Sequence, residues 1–299
     1  MSLEILFDLL VIALVRGGMY VLMAMGLTLI LGVMNVPNFA HGEFYMLGAY
    51  IAYFVGTTFQ IPSILVVLVA AIGGFIFGMV IERIAFRPLR KRAEGTEWLL
   101  NSFLLTVGIQ MMMLHIALWW LGADYRGVTH FWEGNIAIGG LRISMDRGVG
   151  FLIAMGAVIL FWLFFTRTKT GNSIRAVSED ATGAQLMGID LDRIYMLTFG
   201  LGAMMAAIAG AALLSVNPAH PFMGLRPLFR SWFVVILVGL GNVGGTIIGG
   251  FIVGILETAS YYGLGAGWQD VVSTAVIILI LIFKPSGLFG TAVRSVWEE

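Results

Sequence analysis

The feature that most constrains this chain is a series of long apolar runs with almost no charge inside them. They fall at about 3–36, 39–57, 61–85, 98–121, 149–166, 194–216, 231–262 and 268–283. A helix needs roughly 17–25 mostly apolar residues to cross a hydrocarbon core of about 30 Å. A membrane barrel would alternate apolar and polar positions along each strand, and these runs do not alternate. In lipid the backbone must satisfy its own hydrogen bonds, which leaves the helix as the spanning element here. The sequence therefore predicts an all-α, polytopic membrane protein, read as one membrane domain over 1–299. Composition agrees, with 59% hydrophobic and 11% charged residues, where a soluble domain carries about 25% charged.

The first and seventh runs are too long for one upright helix. At 1.5 Å per residue each would approach roughly 50 Å, so each is expected to be broken or tilted. "GLGNVGGTIIGG" (239–250) marks the break in the seventh. The expected total is about eight or nine membrane segments. Arg83, Arg87, Arg90, Lys91 and Arg92 crowd one connection. Arg167, Lys169, Arg175 and Arg193 flank another, and Lys284 and Arg294 lie in the tail. The positive-inside rule puts these in the cytoplasm. Counting back places the N-terminus and the 122–148 loop outside, where Asp124, Glu133 and Asp146 are interleaved with Arg126, Arg142 and Arg147. "MSLEILFDLL" carries Glu4 and Asp8 and no basic n-region, unlike a cleavable signal peptide.

Small residues recur four apart, at Gly74/Gly78, Gly202/Ala206/Gly210, Gly245/Gly249 and Gly250/Gly254. That spacing lets helix backbones approach closely, as helices in lipid do. Between two membrane blocks lies "RTKTGNSIRAVSEDATGAQLMGIDLDR" (167–193), polar and too long for a turn. Asn172 or Ser173 can cap a helix there. Ile174, Val177, Ala181 and Ala184 form one apolar stripe, and Gly188 stands at a C-terminal stop. The stripe suits a membrane-surface helix, a solvated linker or a docking helix.

"NVPNFAHGEF" (35–44) is the most polar interruption of the first block. Pro37 cannot donate a backbone hydrogen bond and disfavours helix at Val36, and Asn38 can cap a new helix near Phe39. Such a break must be buried in protein or line a wet cavity. Asn35, Asn38, His41 and Glu43 are therefore candidates for a translocation path or gate, against the alternative that they only pack the break. Glu257 beside "GLGNVGGTIIGG" is a second candidate wall. The segment "NPAHPFMGLRPLFR" (217–230) is expected at the outer mouth, with Arg226 and Arg230 free to meet acidic residues of a partner.

Several chemistries are excluded. There is no cysteine, and His41, His115, His130 and His220 show no ligand spacing. No GxxxxGK[ST] loop, HExxH or GxSxG occurs. The formal net charge is zero, which gives no reason to expect nucleic acid. Intramembrane carboxylates are sparse, with Glu43 and Glu257 the main ones, whereas a proton-coupled carrier needs buried relays. Transport would therefore need an energy source outside this chain.

Four blocks carry a resemblance. "GLTLILGVMNVPNFAHGEFYMLGAY" (26–50), "IERIAFRPLR" (81–90), "GNSIRAVSEDATGAQLMGIDLDRIYMLTFGLGAMMAAIAG" (171–210) and "KPSGLFG" (284–290) resemble, in order, the LivH-type inner-membrane permease subunits of branched-chain amino acid ABC importers. The resemblance implies a permease of the vitamin B12/ribose importer kind, with no cofactor of its own. It implies a second permease subunit (LivM type), two cytoplasmic ATPase subunits that use ATP, and a periplasmic substrate-binding protein. It makes 167–193 the coupling segment, with Arg175, Ala176, Glu179, Asp180, Ala184, Gly188 and Ile189 as contacts to the ATPase. The Glu-Ala-Ala start of the coupling signature in other importers is met only loosely, by Glu179-Asp180-Ala181. The implied substrates are leucine, isoleucine and valine; urea, short amides or another amino acid are alternatives. An ion-coupled secondary carrier is a different class of reading.

Overall fold

The computed structural model describes residues 3–93, 95–138 and 141–290. Twelve α-helices appear among these residues: α1 (Leu3–Met34), α2 (His41–Phe59), α3 (Ser63–Ile81), α4 (Arg87–Arg90), α5 (Gly95–Leu121), α6 (Met145–Arg167), α7 (Lys169–Glu179), α8 (Ala181–Leu186), α9 (Leu191–Ala212), α10 (Leu225–Val238), α11 (Val243–Leu264) and α12 (Gln269–Phe283). A one-turn π-helix, Glu82–Phe86, joins α3 to α4. Among the described residues, seven helices are long and apolar enough to cross a membrane.

The all-α expectation needs one addition. Strands β1 (Asn135–Ile138) and β2 (Leu141–Ser144) pair antiparallel, with Asn135 opposite Ser144. The local cause is the alternation in "NIAI" and "LRIS", which is too short to stand out beside the membrane runs. The hairpin belongs to the 122–148 connection. Asp146 organises that connection by accepting hydrogen bonds from His130 Nδ1 at 2.7 Å and from the backbone N–H groups of Phe131 and Trp132 at 2.9 and 3.0 Å.

The first run is not broken within its helix. α1 continues for 32 residues, about 48 Å at helical rise, because no proline falls before Pro37. The seventh run breaks where expected, between Val238 and Val243. Gly239 and Gly241 adopt φ of 106° and 80° there, a region that side chains with a Cβ rarely enter. Asn242 caps α11 by accepting from the Gly245 N–H at 2.8 Å. The "KPSGLFG" tail closes the other side of this turn. The N–H groups of Leu288 and Phe289 donate to the carbonyls of Leu237 and Val238 at 2.8 and 2.9 Å, satisfying acceptors that the end of α10 would leave open.

The core is built around α9, whose most apolar window is 67% buried, a larger share than in any other span. It packs on α1, α2 and α3, while α1 also packs along α11. The small-residue pairs explain these contacts. A Cβ at Gly74 or Gly78 would strike Ala207 or Ala203 of α9, and one at Gly250 or Gly254 would strike Val21 or Gly17 of α1. Large apolar side chains such as Ile72, Leu104, Trp119, Leu160 and Ile282 point outward, as a lipid-facing perimeter requires.

Candidate translocation site

The break after α1 lies inside the bundle. Asn35 takes a left-handed conformation, φ 52°. The chain then climbs along α5: Trp98 Nε1 donates to the Met34 carbonyl and Thr106 Oγ1 to the Pro37 carbonyl, each at 3.0 Å. Trp98 and Thr106 are separated by about 12 Å along a helix. Asn38 does not cap α2, whose N-cap is Ala40 without a side-chain hydrogen bond. Instead Asn38 is fully buried, and neither its Oδ1 nor its Nδ2 finds a partner among the described residues. His41 is also fully buried, with Nε2 paired to the Met23 carbonyl at 2.9 Å and Nδ1 unpaired. Glu43 is 2% exposed, and its Oε2 has no partner among the described residues. Unpaired polar atoms are costly in such surroundings, so four on three side chains within six residues mark this break as a place for water or a polar ligand.

The five sequence candidates are not brought together. Asn35 is exposed and borders a cavity of about 590 Å³ with Arg90, Trp98, Glu179 and Tyr195. Glu257 lies on a separate cavity of about 650 Å³, between the N-terminal half of α1, the start of α10 and the end of α11. There Tyr20 donates to Glu257 Oε2 at 2.6 Å. Arg230 pairs with both Glu257 and Asp270. Arg230 is only 7% exposed, so it is committed inside the bundle and not free at an outer mouth, whereas Arg226 is exposed. Sequence reasoning singled out Glu257 and missed Tyr20 and Asp270, which only folding brings near. His220 also lines this cavity. Burial lowers its imidazole pKa below the usual histidine value, so it adds little positive charge at neutral pH.

At the opposite end, Asp192 holds Arg87 and Arg90 at 2.8 and 2.7 Å, and Arg90 also reaches Glu82 at 2.9 Å. Two residues of the basic connection therefore tie the π-helix and α4 to the start of α9. The adjoining 167–193 segment differs from its expected form. Its cap is Thr168, accepting from the Gly171 N–H, not Asn172 or Ser173. Two helices replace one, parted at Asp180, where the backbone is extended. Gly188 is the stop, at φ 85°. Ile174, Val177 and Ala184 are buried against this chain's own bundle. Arg175, Glu179, Asp180 and Gly188 are exposed, and Ala176 and Ile189 are half-buried. Leu186 and Met187 are each 84% exposed at the tip, an apolar pair outside the stripe that the periodicity did not single out.

Long apolar helices around breaks lined with buried polar groups define a multi-pass membrane permease. The chain belongs to the family described as the permease component of the branched-chain amino acid transport system, whose model matches residues 9–281; it is of the LivH type. It is 30% identical over 92% of both chains to the high-affinity branched-chain amino acid transport permease LivH of Escherichia coli strain K12. Identity and coverage are the same for BraD of Pseudomonas aeruginosa. A more partial likeness, 30% over 60% of this chain and 57% of the relative, joins it to the autoinducer 2 import permease LsrC of Klebsiella pneumoniae.

Proposed function

We propose that this chain is the membrane-spanning permease subunit of an ATP-driven importer for branched-chain amino acids. The observation that carries this reading is likeness along nearly the whole chain to permeases named for that transport, covering 92% of each. In this reading the protein sits in a bacterial inner membrane with a second, LivM-type permease, two cytoplasmic ATPases and a periplasmic binding protein. The fold is that of the vitamin B12/ribose importer permeases. α2 and α10, of 19 and 14 residues, add partial or full crossings to the seven apolar spans, giving about nine segments. The C-terminus faces the cytoplasm and the N-terminus the periplasm, because Arg83, Arg87, Arg90 and Lys169 fall at one end.

The α7–α8 pair is the coupling segment. Arg175, Glu179 and Asp180 offer exposed charges for pairing, while Leu186 and Met187 offer an exposed apolar knob for an ATPase groove. Ala176, Ala184, Gly188 and Ile189 shape and support that surface. Asn38, His41 and Glu43 line the path, Asn35 its cytoplasmic side and Glu257 its outer cavity. This chain holds no cofactor; ATP is used by the partner subunits. Urea, a short amide or another amino acid as substrate would keep this mechanism, and an ion-coupled carrier would replace it.

Uptake of radiolabelled leucine, in cells with and without the protein, tests the reading. Uptake is expected to need this chain and ATP, to survive a protonophore when ATP is held constant, and to yield to excess valine or isoleucine but not urea. Collapse under the protonophore would overturn ATP coupling, and ATP-dependent urea uptake without leucine uptake would replace the substrate.

A further inference from the structure

The outer cavity has an uneven charge balance. Four guanidinium groups, Arg16, Arg147, Arg226 and Arg230, line it against the single carboxylate of Glu257. That carboxylate accepts a hydrogen bond from Tyr20 and is ion-paired with Arg230. Its charge is therefore already balanced by Arg230, which weakens its pull on a ligand's ammonium group. Among the described residues, no carboxylate comes within ion-pair range of Arg16, Arg147 or Arg226. Arg16 is half-buried, and its guanidinium carbon stands 5.7 Å from the centre of the Tyr261 ring.

Two further features point the same way. The first turn of α10 lines the cavity through Arg226 and Pro227, and a helix N-terminus carries partial positive charge. Gln269 also lines it, with a buried Nε2 donor that has no partner among the described residues. Unused cations, a helix N-terminus and an idle amide donor together favour an anion. Ile12, Val15, Met19 and Leu213 supply apolar wall beside them.

We propose that this cavity is a carboxylate-binding site, holding the transported molecule through Arg16 and the first turn of α10 with its hydrocarbon side chain on the apolar wall. The proposal rests on the importer reading and narrows it: the substrate carries a carboxylate, which urea and neutral amides lack. An amino acid enters this cavity with its carboxylate recognised and its ammonium group left to water.

The test is equilibrium dialysis of radiolabelled leucine against the complete complex with its ATPase subunits, in nanodiscs without nucleotide or binding protein. 4-Methylpentanoate keeps the carboxylate and lacks the amine; leucinamide keeps the amine and lacks the carboxylate. 4-Methylpentanoate is expected to displace leucine, and leucinamide is not. Arg16→Gln is expected to weaken leucine binding about tenfold or more, with Arg16→Lys, which keeps the charge but not the planar fork, recovering part of it. Equal displacement by the two analogues would overturn the proposal, and so would wild-type affinity in Arg16→Gln. The analogue series uses the wild-type complex, so it stands even if Arg16→Gln fails to assemble. ATP-driven uptake by wild-type complex that binds no leucine at millimolar concentration would also overturn it. Loss of ATP-driven uptake in the wild-type complex would instead remove the importer reading, with carboxylate binding still read by the dialysis.

Discussion

Arg230 and Glu257 account for each other's presence inside the bundle. Each is nearly excluded from solvent, at 7% and 2% exposed, and each neutralises the other. Removing one partner of such a pair leaves a buried charge, at a cost of about 3–5 kcal/mol. Arg230→Met is therefore expected to lower membrane abundance and thermal stability sharply. Arg230→Met with Glu257→Leu is expected to recover most of that loss, because no orphaned charge remains inside. A double variant as unstable as the single one would contradict this pairing. Glu257 was legible in the sequence as a carboxylate within an apolar run, and the other half of its hydrogen bond was not. Tyr20 lies 237 positions away, and no local pattern reports so distant a contact. Asn38 shows the opposite error. Its residue type suits a helix cap, but the chain climbs two residues further before α2 begins.

Helix contacts were more legible, because close approach leaves a local trace. The four-residue spacing of small side chains at 74/78 and 250/254 corresponds to faces that touch α9 and α1, and Gly202 and Gly210 of α9 mark its contacts with α1 and α2. Gly48 is a sharper case, since a Cβ there would overlap the backbone of Ala207. Gly48→Val is expected to push α2 off α9 and reduce the amount of folded protein in the membrane. Gly108 provides the control. Nothing lies within 4 Å of its added Cβ, so Gly108→Ala is expected to be neutral or to stabilise by up to about 1 kcal/mol. Detergent-extracted yield and melting temperature check both, and a harmless Gly48→Val would refute the contact. The stripe of α7 was also legible, but periodicity reports that a face is buried and not by what. Ile174 and Val177 face this chain's own bundle, so the docking proposed for this segment falls to the exposed face and the tip.

For the whole molecule, charge order along the sequence predicts a topology that labelling can check. The chain has no cysteine, so single substitutions report without background. Glu133→Cys is expected to react with a membrane-impermeant maleimide in intact cells, and Lys169→Cys only after the membrane is opened. The reverse pattern would invert the protein in the membrane. That the long apolar runs form helices was readable because length and polarity are properties of a segment, although eight or nine membrane segments were expected and seven helices among the described residues are long and apolar enough to cross. The depth of the 35–40 break was not, because the side chains of α5 that hold it are ordinary in sequence: an indole at Trp98 and a hydroxyl at Thr106.

The close fit of α9 has a mechanical consequence. Gly48 of α2 and Gly74 and Gly78 of α3 bring those helices against Ala203 and Ala207 of α9, and the side chains of Phe75 and Met79 fill the space beside Gly200. The Phe199 ring packs against those of Phe44 and Phe86. Four residues separate the first turn of α9 from the exposed tip of α8. Interlocked rings resist displacement along the helix axis, so a push at the α8 tip is expected to carry α9, α2 and α3 together as one packed block.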